Sequence, residues 1–211
     1  MNKDGFLSRI VFGWIKKDLE NISKVRLVIP GDGNANFPLA LLIVIYMDHL
    51  GGYLLGTEKN GLEANIRAYL TCFKNPADYN SELLADLFRN GLAHDYFARG
   101  GISRSGMRPP MVYSLGIGVI LDADSLLSDF IESLENFKAK LTKENFQKRF
   151  LEAKQTMEYS YSKHKSIIEN LPKPPAPVIV TPSMPLSSGA SGGTAIYSKI
   201  MTQIKKGGLI G

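Results

Sequence analysis

The sequence predicts a mainly α-helical chain, an antiparallel bundle with a small β-hairpin insertion and a flexible C-terminal tail. Three observations predict it. Apolar residues recur at three- and four-residue steps through several stretches, the repeat of a helix with one buried face. One short run, Met111 to Leu121, is β-branched and carries glycines, which reads as half of a hairpin. Six prolines then fall between Leu171 and Pro185, and Leu186 to Thr194 is nearly all serine, glycine and small residues. Such a segment cannot bury enough apolar surface to offset its ordering entropy. The expected division is therefore a helical bundle over 1–170 and a Pro/Gly/Ser-rich tail over 171–211, with Ile196, Ile200 and Ile204 spaced for a short terminal helix.

The chain of 211 residues is long enough for one sizeable core. Its 44% apolar and 21% charged content is that of a soluble globular protein. A net charge of +5 and a pI near 9.2 favour polyanion partners modestly. The single Cys72 excludes an intrachain disulfide framework and suits a reducing, cytoplasmic setting; within its apolar pattern it reads as a small core residue.

The elements follow in order. Met1 to Glu20 reads as an amphipathic helix packed through Phe6, Ile10, Phe12, Trp14 and Ile15, not as a secretory leader, because Lys16, Lys17 and Asp18 interrupt the apolar run. Val25 to Ile29 is β-like, and Gly31 to Asn34 is a turn. Phe37 to Met47 is the most apolar segment and Pro38 suits a helix start. Eleven residues ended by Asp48 and His49 are too few to span a bilayer, which needs about 20. The segment is expected to be the central buried helix, running to about Leu55, with no membrane partner and with His49 a satisfied helix-end residue. Leu62 to Phe73 makes a third helix, closed by Asn75 and Pro76.

Beyond Gly100 the chain is basic and glycine-rich. Arg99, Arg104 and Arg108 lie within ten residues that contain no acid, interleaved with small residues. A mobile loop of this kind can contact a phosphate backbone. Asp124 or Ser125 is expected to cap a helix from about Leu126 to Leu141, and Thr142 to start another with Phe146, Phe150, Leu151, Met157 and Tyr161 as its inner stripe. His164, among lysines, reads as surface.

The densest chemistry lies in Ser81 to Gly101. Leu83, Leu84, Leu87, Phe88 and Leu92 give the buried face, Asn80 or Ser81 the cap, and Gly100 with Gly101 the stop. On this helix sit Arg89, Asn90, His94 and Tyr96, a cation, an amide, an imidazole and a phenol. On an ideal α-helix Asn90 and His94 are about 40° apart and Arg89 and His94 about 140° apart. Arg89 and His94 therefore converge only if the long Arg stem bends round, if Gly91 lets the backbone distort, or if a second chain completes the site.

Arg89, the polar Asn90 directly after it, and His94 resemble the signature of the HEPN superfamily. With Tyr96 they are similar to the signature of HEPN toxins that pair with minimal nucleotidyltransferase antitoxins. The match covers eight positions on one helix. It implies a small helical bundle, metal-independent RNA cleavage in defence or stress, and a symmetric homodimer that brings two signature helices to one cleft. It also implies a nucleotidyltransferase antitoxin as a further partner, acting on Tyr96.

The residue chemistry is compatible with that expectation. Cleavage through the 2′-hydroxyl needs a base, an acid and positive charge on the phosphorane. Histidine can carry the proton, so His94 is assigned to proton transfer; the permanently charged, forked Arg89 is assigned to the phosphoryl charge. Asn90 would position the imidazole or the phosphate, Tyr96 would add a supporting contact, and Arg99, Arg104 and Arg108 would hold the RNA. No His-Glu-His spacing, carboxylate pair or Cys/His quartet is present, so no metal or other cofactor is expected. The competing expectation is a non-catalytic helical module that binds a nucleotide, nucleic acid or protein, with Arg89 and His94 part of an internal polar network.

Overall fold

The computed structural model describes residues 1–25, 35–57, 59–95 and 100–172, with the backbone alone for 94 and 95. The chain divides into two units, Met1–Leu171 and Pro172–Gly211. The expected proline-rich tail lies outside the described residues beyond Pro172, as do the β-like run after Val25 and the glycine turn that follows it.

The first helical segment changes its hydrogen bonding along its length. The Asn2 side chain accepts from the Gly5 N–H and caps α1 (Lys3–Gly5). A π-helical segment, Phe6–Ile15, follows, and α2 (Lys16–Ser23) continues it. At the junction the Lys16 N–H bonds to the Val11 carbonyl, five residues back. Each turn of an i→i+5 helix holds more residues than an α-turn, so the inward face shifts. Leu7, Val11, Ile15 and Leu19 are buried at four-residue steps, while Trp14, expected on the packed face, is 36% exposed.

α3 (Asn36–Leu55) is the central helix, as its apolar run predicts. Leu39, Ile43, Val44, Met47 and Leu50 are buried on it, and it packs against α2, α4, α6, α7 and a second π-helical segment. Among the described residues it is the one helix long and apolar enough to cross a membrane, and half of that window is buried inside the bundle. Close approach to α4 (Leu62–Leu70) depends on Gly51. A Cβ there would stand 1.9 Å from the Asn65 carbonyl oxygen, so only glycine admits the neighbouring backbone. Gly56, at φ 74°, closes α3 in the left-handed conformation that glycine adopts without strain.

After a 3₁₀ turn, Pro76–Asp78, the Asn80 side chain accepts from the Leu83 N–H and starts α5 (Ser81–Leu83). That turn opens directly into the second π-helical segment, Leu84–Asp95. Leu84, Ala85, Phe88 and Leu92 are buried on it, with Leu87 partly so.

A three-stranded sheet follows: β1 (Gly101–Ser103), β2 (Met111–Ser114) and β3 (Gly118–Asp122), in the order β1-β3-β2. The run Met111 to Leu121, expected as one strand and half of a hairpin, holds both strands of it: β2 and β3 pair antiparallel, Met111 opposite Leu121, turned at Gly116 and Gly118, both at positive φ. β1 pairs parallel to β3, Gly101 opposite Ile120. This corrects the expected mobile loop, because the first part of the arginine-rich stretch is a strand. Three residues are too few to show a period-2 pattern.

Asp122, rather than Asp124 or Ser125, caps α6 (Ala123–Lys140), and Thr142 caps α7 (Lys143–Lys163), which short α8 (Lys165–Glu169) follows. Only the first half of α7 packs inward. Phe146 is buried and Phe150 partly buried, but Leu151, Met157 and Tyr161, expected on the inner stripe, are each more than half exposed. Aromatic packing joins the layers: Phe6, Tyr53 and Phe146 cluster at one place, Tyr69, Phe73, Phe130 and Phe137 at another. Cys72 is buried in this core, and burial pushes its thiol up from its ordinary pKa.

Candidate functional site

The second π-helical segment positions the signature residues. Its inner side is pinned by Leu84, Phe88 and Leu92, which leaves Arg89 and Asn90 half-buried on the flank. Arg89 Nη1 donates to Asn90 Oδ1 at 3.4 Å. The buried Arg89 Nε has no hydrogen-bond partner among the described residues. Among the described residues the guanidinium is thus held by one long bond and keeps donor capacity in reserve.

Helix type decides the angular problem posed by the sequence. In an α-helix residues five apart diverge by about 140°; an i→i+5 helix holds more residues per turn, so residues five apart lie closer to one face. Positions 89 and 94 both lie within Leu84–Asp95, so their Cα positions lie closer to one face than on an α-helix. Gly91, one of the expected routes to convergence, lies within this segment. The side chain of His94, and Tyr96 and Arg99 entirely, lie outside the described residues.

Of the expected RNA-facing arginines, Arg104 occupies a different place. Its side chain is 2% exposed. Nε donates to Asp124 Oδ1 at 2.9 Å, Nη1 to the Val25 carbonyl at 3.1 Å and Nη2 to the Ser23 carbonyl at 2.7 Å. It clasps the end of α2 to the start of α6, an internal role in place of the expected solvent-facing one. Arg108 makes a fork to Asp129, Nη1 to Oδ2 at 2.6 Å and Nη2 to Oδ1 at 2.7 Å, and is 46% exposed. Asp129 Oδ2 also accepts from the Tyr79 hydroxyl at 2.6 Å. Burial first, and then the Asp129 carboxylate, push the Tyr79 phenol well above its ordinary pKa.

One residue organises the loop that carries these arginines. The Asp122 carboxylate is fully buried and accepts from Ser103 Oγ, Ser105 N–H and Oγ, Gly106 N–H and Ser125 N–H at 2.7–3.0 Å. Burial by itself raises a carboxyl's pKa, but the bonds from Ser103, Ser105 and Ser125 outweigh it and hold Asp122 well below the usual carboxylate range.

A second polar cluster escaped the sequence. Asp48, His49, Asn65 and Arg149 line one cleft between α3, α4 and α7, with a volume of about 360 Å³. His49 is expected as a helix-end residue, and Arg149 stands among the charged residues of α7. The available signal was the pair Gly51-Gly52 beside Asp48-His49 in an otherwise apolar helix, small residues that admit another backbone next to polar ones. Among the described residues no three metal-ligating side chains are grouped to hold an ion. No family model, curated protein or solved structure matches the chain.

Proposed function

We propose that the protein is a metal-independent endoribonuclease of HEPN type, with Arg89 and His94 as its catalytic pair. The observation that carries the reading is the π-helical register of Leu84–Asp95, which brings positions 89 and 94 closer to one face of one chain than an α-helix would. Support comes also from Arg89, whose buried Nε has no hydrogen-bond partner among the described residues. In the proposed reaction a base removes the 2′-hydroxyl proton and O2′ attacks phosphorus. The bond from phosphorus to O5′ breaks, and an acid protonates the leaving oxygen, giving a 2′,3′-cyclic phosphate and a 5′-hydroxyl. Arg89 offsets charge on the equatorial oxygens, and His94 carries the proton. Asn90 orients its neighbours through the contact it already makes with Arg89, and Tyr96 supports the phosphate. Because one imidazole cannot start as both base and acid, two copies in a symmetric dimer supply the pair. Arg108 and Arg99 are the proposed RNA contacts.

Incubating the full chain with end-labelled RNA in EDTA tests this. Cleavage with cyclic phosphate ends is expected, reduced at least about hundredfold in His94→Ala. Binding without cleavage would replace the reading with that of a non-catalytic RNA-binding module.

A further inference from the structure

The cleft of Asp48, Asn65 and Arg149 has the donor and acceptor pattern of a base-recognition pocket. Asn65 is 5% exposed, and its Nδ2 donates to Asp48 Oδ1 at 2.8 Å. A carboxylate only accepts, so this bond fixes the amide's orientation: nitrogen toward Asp48, oxygen away. Asn65 Oδ1 is left buried with no hydrogen-bond partner among the described residues. A buried acceptor without a donor is costly, which points to a ligand that donates.

Gly52 keeps the space open. The point where a Cβ would stand on Gly52 is 3.3 Å from Arg149 Nε and 3.8 Å from Asn65 Nδ2. The guanidinium and the amide therefore lie within one small group's reach of each other. Arg149 is 7% exposed, and its guanidinium lies over the Tyr53 ring at 5.6 Å. Two acceptors, Asp48 and Asn65 Oδ1, thus stand beside a planar donor.

We propose that this cleft binds a guanine base. Guanine presents two adjacent N–H donors, at N1 and the 2-amino group, next to acceptors at O6 and N7. The donors match Asp48 and Asn65 Oδ1, and the acceptors match an arginine, the pairing that guanine commonly makes with proteins. Adenine places an amino group where guanine has O6 and would set a donor against Arg149. Uracil has one N–H between two carbonyls and would set an oxygen against Asn65 Oδ1. A free nucleotide and an RNA strand both carry this base; the recognition chemistry is the same, and the proposal stands independently of the ribonuclease reading.

Titration calorimetry of the full chain with GMP, AMP, UMP and inorganic phosphate tests it. GMP is expected to bind at least about tenfold more tightly than AMP or UMP. Asp48→Asn is expected to weaken GMP at least about tenfold. Gly52→Ala, which adds a methyl to the cleft and removes no polar group, is expected to weaken GMP as well and serves if Asp48→Asn does not fold. Tighter binding of a GpU dinucleotide than of GMP would assign the base to a strand, and equal binding to a free nucleotide. The proposal is overturned if GMP does not bind at millimolar concentration, if AMP or phosphate binds as well, or if Gly52→Ala binds GMP like the parent chain.

Discussion

At the scale of single residues, the best-satisfied groups are those that hold the loop beside the candidate site. Asp122 gathers five hydrogen bonds from four residues and caps α6 with the same carboxylate. Its folded pKa lies below the unfolded value of about 3.9. The stabilisation is therefore fully present above about pH 4 and is lost as pH falls through the folded value. In urea melts Asp122→Asn is expected to be less stable than the parent at neutral pH, with the gap narrowing below about pH 4; a gap independent of pH would contradict the assignment. Arg104 makes an equally definite case. Removing it leaves Asp124 and two backbone carbonyls without its donors, so Arg104→Ala is expected to cost roughly 3 kcal/mol in the same melts. A surface arginine that binds RNA would cost close to nothing.

At the scale of elements, close packing and helix type position both polar clusters. Gly51 lets α4 lie on α3, and a methyl there would collide with the Asn65 backbone. Gly51→Ala is expected to lower stability by roughly 3 kcal/mol, read by thermal melting, although alanine ordinarily favours a helix. Much of this level was legible in the sequence. The apolar run of α3, the Asn80 and Thr142 caps, the hairpin and the burial of Cys72 all follow from residue type and spacing. The π-helical register was not legible, since Leu84, Phe88 and Leu92 fit a helical face in either hydrogen-bonding pattern and only Gly91 hints at a distortion. Burial of Arg104 was hidden for a related reason, because its partners Ser23, Val25 and Asp124 are distant in sequence or look like ordinary loop and cap residues. The cleft of Asp48, Asn65 and Arg149 draws on three helices, and no local pattern records that meeting.

At the scale of the whole molecule, the described chain is a mainly helical bundle with a small three-stranded sheet, built around α3. The proposed chemistry asks for two histidines in one cleft, so sedimentation equilibrium is expected to give twice the chain mass at concentrations where RNA is cleaved. A monomer that cleaves at full rate would remove the dimer from the account. The most direct test of the central claim is a double-mutant cycle in EDTA, comparing the parent chain, Arg89→Ala, His94→Ala and the double variant on one labelled RNA. Residues that act as a unit lose activity non-additively. Each single variant is expected to fall at least about hundredfold, and the double variant little further. Parent-like cleavage by either single variant would contradict the claim that these two residues, carried on one π-helical segment, make the catalytic pair.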